Sequence, residues 1–250
     1  MSENIPNFRA LHGNKPHKIC RQVLSAELSM LVRSLKQPTQ RFEVPDSNVD
    51  WKVPYIDYRP HLVGKMGLRV PQGLESIETG KEITYDKQGY PLNVIGRTGL
   101  CGLGVYPKWG ENLAIRALLM RQDVATNKKQ VLLWKPTGKD MWVVPGAPID
   151  KVTDAPAKAV EVFGQNLNMR KASPTYTQEH VIYKGYGDHG SNTDNAWLGL
   201  VVLNRELGEV EAAEVAFGNP RVQWHNLNKL PKMAADQGSL VQLAMNRRAR

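Results

Sequence analysis

The stretch from Met141 to Asn166 limits the possible folds more than any other part of this chain. Met141-Trp142-Val143-Val144 is a short apolar run suited to a strand, and Pro145-Gly146 breaks it. Asp154 is a good helix N-cap, with Pro156 in the first turn. Ala155, Ala159, Val162, Phe163 and Asn166 then fall on one largely apolar face at helical spacing. Strands and helices alternating along the chain imply a mixed sheet with helices on its faces, an α/β protein. The 250 residues suffice for one large or two small domains. No apolar run approaches the ~20 residues of a membrane span, so no membrane partner is expected.

The formal net charge of +9 implies attraction to anions, whether nucleotides, RNA or an acidic protein surface. The charge is densest at the two ends: Arg9, Lys15, Lys18, Arg21, Arg33 and Lys36 at one, Arg247-Arg248-Ala249-Arg250 at the other. Cys20 and Cys101 form neither a disulfide framework nor a metal site, and a reducing compartment fits.

Residues 1–40 read as a basic extension, irregular up to Pro16. Over Lys18 to Lys36 the spacing of Leu24, Leu28, Leu31 and Leu35 predicts one helix, ended by Gln37-Pro38. It reads either as a mitochondrial targeting segment or as a docking helix, so the expected compartment is mitochondrial or cytoplasmic. With Met1, this helix favours a whole protein over a fragment. Residues 41–90 form a small N-terminal domain and linker, extended and proline-rich to Pro60 and turn-rich from Lys65 to Tyr90. Residues 91–250 form the main domain. It opens on a glycine-rich loop, Gly96 to Gly104, of a kind whose backbone N–H groups often wrap anions. Strands are expected at Ala114–Gln122, Gln130–Lys135, Glu179–Tyr186, Asn195–Leu203 and Arg221–Leu227, and a closing helix at Lys232–Met245. Trp197 and Trp224 are expected in the core.

The strand, loop and helix at 141–166 resemble the Nudix box, whose pattern is Gly, five residues, Glu, seven residues, Arg-Glu-apolar-x-Glu-Glu-x-Gly-apolar. Further motifs narrow the resemblance: Gly96-Arg97-Thr98-Gly99-Leu100, Trp109-Gly110-x-Asn112, Val181 to Tyr186, and Asn192-Thr193-Asp194-Asn195-Ala196-Trp197. Together they are similar to the ADP-ribose pyrophosphatases and to the ADP-ribose-sensing domain of melastatin-type cation channels. The likeness covers most of residues 41–230. It implies a Nudix fold, a mixed sheet sandwiched between helices, with a small N-terminal domain. It also implies Mg²⁺-dependent cleavage of ADP-ribose where the box is intact.

This chain keeps the frame of the box and departs in its chemistry. The box Gly is Ala147, the first Glu is Thr153, the Arg-Glu pair is Glu161-Val162 and the Glu-Glu pair is Gln165-Asn166. Hard cations prefer carboxylate oxygens, which this helix face has lost. No catalytic residue, metal ligand or cofactor is therefore expected, with Mg²⁺ relevant only to residual activity. Where the family continues Asp-Asp-Pro-Arg, this chain has Asp188-His189-Gly190-Ser191, and a Tyr and a His near the C-terminus align with Met233 and Asp236. A Tyr of the channel domain aligns with Arg116. Arg97, Arg116, Arg121, Asp188, Asp194 and Asn195 remain as candidate ligand contacts. Arg97, Asp194 and Asn195 serve equally well as loop braces. Three readings follow: a pseudoenzyme binding a nucleotide diphosphate such as ADP-ribose, a weak hydrolase drawing on Asp150, Asp154, Glu161 or Asp188, and a structural subunit of an RNA-containing or protein assembly held by its basic ends.

Overall fold

A computed structural model describes residues 5–64, 69–166, 175–214, 219–234 and 237–247. In chain order the elements are α1 (Phe8–His12), α2 (Ile19–Gln22), α3 (Ala26–Ser34), β1 (His61–Leu62), β2 (Leu100–Cys101), β3 (Gly110–Asp123), β4 (Lys128–Trp134), β5 (Gly146–Pro148), α4 (Ala155–Glu161), β6 (Val181–Gly187), β7 (Ala196–Glu206), α5 (Glu209–Glu214), β8 (Val222–Asn226) and α6 (Gln237–Arg247). The six-stranded sheet has the order β6-β7-β3-β4-β8, with β5 paired to β3. This is the mixed α/β class expected, with few helices.

The chain divides into two compact units, residues 1–5, 113–183 and 200–250 in one, 6–112 and 184–199 in the other. In the first, β3 and β4 form an antiparallel hairpin with Met120 opposite Val131 and Asp123 opposite Lys128. Asn127 turns it in the left-handed region, φ 52°. β8 adds antiparallel to β4, with Leu132 opposite Trp224. Ile115, Leu118, Leu119, Leu132, Leu133 and Leu203 are fully buried and form its apolar centre, each contributing about 1.5–3 kcal/mol. Phe163 stacks on Tyr176, with centroids 5.8 Å apart, and the Tyr176 hydroxyl donates to the Leu118 carbonyl at 3.0 Å.

In the second unit, Leu28, Val32, Val63 and Leu100 form one apolar cluster, and Leu103, Trp109 and Ala196 another. A parallel β1–β2 pair joins residues 61–62 to 100–101.

Several expectations need correction. The single helix over Lys18 to Lys36 is two, α2 and α3. Ser25 interrupts it because its hydroxyl caps Leu28 N–H at 3.1 Å while its own N–H donates to Gly190 O at 3.1 Å. The irregular N-terminus contains α1, capped by Asn7. Met141 to Val144 is not a strand. It makes isolated bridges, Trp134 with Val143 and Trp142 with Met233, and the true strand is β5, beyond Pro145. The stretch expected as a linker, Lys65 to Tyr90, buries Ser76, Glu78 and Ile83; its residues 65–68 lie outside the described part. Lys232 to Ala234 are not helical, and the closing helix is described over Gln237–Arg247.

Candidate functional site

The box sits in the first unit. β5 pairs antiparallel with β3, placing Ala147 opposite Ile115 and Gly146 opposite Arg116. A Cβ on Gly146 would run into the Ile115 carbonyl oxygen and the Arg116 guanidinium, so only glycine lets the strands close here. Arg116 donates to the Ile115 carbonyl at 3.0 Å and so holds its positive charge against the box loop. In α4, Ala155 and Ala159 are fully buried, as are Phe163 and, at 1% exposure, Val162 just beyond. The apolar face is therefore the inner one, as the spacing predicts.

On the outer side, a cavity of about 570 Å³ is lined by Asp150, Thr153, Asp154, Lys158 and Glu161 among others. Its carboxylates are partly committed. Glu161 pairs with Lys158 at 2.6 Å, and Asp154 accepts Lys151 N–H at 3.2 Å. The side chains of Gln165 and Asn166 lie outside the described part, as do Asp236 and Arg248 to Arg250. Among the described residues no three His, Cys, Asp or Glu side chains converge to hold a metal ion. Of the described box positions, Val162 is buried and apolar, Thr153 is neutral and Glu161 is ion-paired, so none of the three offers a free carboxylate to a hard cation.

Arg121 lies elsewhere in the same unit. Its Nε donates to Gln130 Oε1 at 2.8 Å, and its guanidinium stands 4.4 Å over the Trp224 ring. Burial lowers its pKa from the ordinary value. Trp224 is half-buried under this cation rather than in the core, whereas Trp197 is fully buried.

The other candidates belong to the second unit, where the glycine-rich loop does wrap an anion, one from its own chain. Asp194 Oδ1 accepts from Thr98 N at 2.7 Å and Thr98 Oγ1 at 2.9 Å, and its Oδ2 accepts from Tyr58 OH at 2.6 Å. Gly99 N–H donates to the same Tyr58 oxygen at 3.0 Å. Gly99 has φ 82°, and a Cβ there would collide with the Phe42 carbonyl. Burial outweighs these donors and pushes the Asp194 carboxyl up to about 6. Asn195 accepts Gly102 N–H at 2.8 Å and donates to Pro91 O at 3.0 Å.

Arg97 is 7% exposed and donates to the carbonyls of Asn48 and Asp50, both at 2.7 Å, and of Val53 at 3.0 Å. Its guanidinium lies 4.8 Å over Trp51 and 5.5 Å over Tyr58. Asp188 caps α2, accepting N–H groups of Lys18, Ile19 and Cys20 at 2.8–2.9 Å. Arg97, Asp188, Asp194 and Asn195 are thus gathered in one unit and engaged with its own backbone. Asn112 donates to Lys108 O at 2.9 Å.

Two charged residues in this unit escaped the sequence reading. Glu78 is 3% exposed and takes N–H groups of Phe8, Arg9 and Tyr186, each at 2.9 Å. Arg41 donates to the carbonyls of Thr98, Gly190 and Asn192. Their partners lie 57 to 151 positions away for Arg41 and 69 to 108 for these Glu78 bonds, so no local pattern marks them.

No family model matches the chain. The mitochondrial ADP-ribose pyrophosphatase of Rattus norvegicus is 27% identical over 84% of this chain and 74% of its own length. A putative Nudix hydrolase of Caenorhabditis elegans is 29% identical over 46% of this chain and 45% of its own. These matches support homology to Nudix-family proteins. The chain also matches a melastatin-type channel, the transient receptor potential cation channel subfamily M member-like 2 of Nematostella vectensis, at 28% identity over 81% of this chain; it spans only 16% of that channel. Among solved structures, a MutT/Nudix protein of Enterococcus faecalis is 16% identical over 60% of this chain and 65% of its own, at a TM-score of 0.42, too loose a likeness to build on. No helix among the described residues is long and apolar enough to cross a membrane.

Proposed function

We propose that this Nudix homologue, of the ADP-ribose pyrophosphatase type, binds a nucleotide diphosphate such as ADP-ribose without hydrolysing it. The observation that carries the reading is Val162. The position the family fills with a catalytic Glu is an apolar side chain sealed in the core. β5 and α4 flank it, and Arg116 against Gly146 offers positive charge to a diphosphate. The name of the rat relative supports ADP-ribose as the first ligand to try and a mitochondrial location as the first to examine.

Calorimetric titration of the full chain with ADP-ribose, with and without Mg²⁺, followed by product analysis, tests this. Saturable binding without AMP release is expected, weakened about tenfold by Arg116→Ala. Absence of saturation overturns the binding, and AMP formed with turnover overturns the inactivity. A weak hydrolase is the second reading, favoured by Asp150, Asp154 and Glu161 lining one cavity. It requires AMP release that disappears in Glu161→Gln.

A further inference from the structure

The second unit holds a cavity of about 570 Å³ beside α2 and α3, lined by Arg21, Arg33 and Arg41 together with Ser29, Gln40 and Glu43. We propose that this cavity binds a phosphate group of a small molecule, with Arg33 and Arg41 as its charged contacts. The site is separate from the box and does not rest on the reading given for it.

Arg41 supplies the main observation. Its two terminal nitrogens are fixed on three backbone carbonyls, at 2.8–3.2 Å, which locks the plane of the guanidinium. Its Nε is buried and finds no acceptor among the described residues. No carboxylate lies within ion-pair distance of it among those residues, and burial lowers its pKa from the ordinary value. This half-buried cation is hydrogen-bonded to carbonyls alone and feels the Asp194 carboxylate through space, so one donor stays unmatched and an added anion at the cavity side is favoured.

Arg33 stands at the end of α3, exposed, and its side chain has no hydrogen bond or ion pair among the described residues. It is available to close over a ligand. Arg21 differs: it is tied to the carbonyls of His17 and Val44 and paired with Asp46, so it adds field rather than contact. Against three guanidiniums the lining carries one carboxylate, Glu43, and Ser29 and Gln40 can satisfy further oxygens. A guanidinium fixed in place, with an exposed second one beside it and a single carboxylate in the lining, suits a phosphate oxyanion. The volume admits more than a bare ion, falling in the range of small-molecule sites.

The probes are inorganic phosphate and AMP, titrated into the full chain and followed by calorimetry and by the rise in Tm. Saturable binding near about 1 mM or tighter is expected. Equal affinities assign a lone phosphate as the preferred ligand, and tighter AMP binding a nucleoside monophosphate. Arg33→Gln, at an exposed position where folding is not at stake, should weaken binding about tenfold. Lys36→Gln, which removes a nearby charge outside the lining, should leave it within about twofold. Arg41→Lys keeps the charge, loses the fork and should weaken binding at least as much as Arg33→Gln. No saturation by either probe overturns the proposal. So does a loss in Lys36→Gln equal to that in Arg33→Gln, which would mean general surface attraction.

Discussion

Asp194 gives the sharpest test of the loop network. Its carboxyl is raised from 3.8 to about 6 by burial, in spite of the donors from Thr98 and Tyr58. The sign follows from linkage. Between those two values the folded chain holds a proton that the unfolded chain has released, so stability is fully present below 3.8 and is lost as pH rises through 6. The whole shift is worth about 3 kcal/mol, most of which falls between pH 4 and 7. Asp194→Asn removes this dependence. It also turns one acceptor into a donor facing Tyr58 or Thr98, which costs about 1–3 kcal/mol. The variant should therefore be less stable than the parent at pH 4 and close to it at pH 7. Urea midpoints for both proteins at pH 4, 5, 6 and 7 measure the difference directly. If it stays constant with pH, or if the parent gains on the variant as pH rises, the donors outweigh burial and the reasoning fails.

Two further substitutions probe the two units separately. Val162→Glu, which rewrites one box position toward the family pattern, should cost at least about 3 kcal/mol, because the carboxyl enters a site 1% exposed. For a chain of this size that is a fall in Tm of about 6–12 °C by scanning calorimetry, and an unchanged Tm would place residue 162 at the surface. Arg97→Lys keeps the charge but loses at least two of the three carbonyl bonds and the stack on Trp51. A loss of about 2–3 kcal/mol is expected, with a reduced near-ultraviolet signal from Trp51, Tyr55 and Tyr58; a variant as stable as the parent would refute the bracing role.

The parts of this fold that sequence made legible are those whose signal is periodic and local. Ala155, Ala159, Val162 and Phe163 are buried where helical spacing puts them, and the β3–β4 hairpin is built on the strands expected at Ala114–Gln122 and Gln130–Lys135. What stayed hidden depends on partners far along the chain. Ser25 breaks a helix whose leucine spacing reads as continuous, because Gly190 accepts its N–H. Asp188 looks like part of a surface turn until the three N–H groups of α2 appear beneath it, some 170 positions earlier. The strand before the box is displaced because Trp134 and Met233 pair with single residues of 141–144 while β3 takes the next three. In the site, the missing carboxylates could be read directly, since residue identity alone removes them. The engagement of Arg97 and Asp194 with their own backbone could not, since an arginine facing a ligand and one facing three carbonyls have the same one-letter code.

The second unit is sewn from two lengths of chain, 6–112 and 184–199, with most of the first unit's strands made in between. During synthesis the early length emerges while its later half does not yet exist. Arg41 then has no Gly190 or Asn192 to hold, Thr98 no Asp194, and α2 no Asp188. At about 5–20 residues per second the wait lasts several seconds. The last stitch belongs to the short length 184–199, and until it arrives residues 6–112 lack the partners that tie them together.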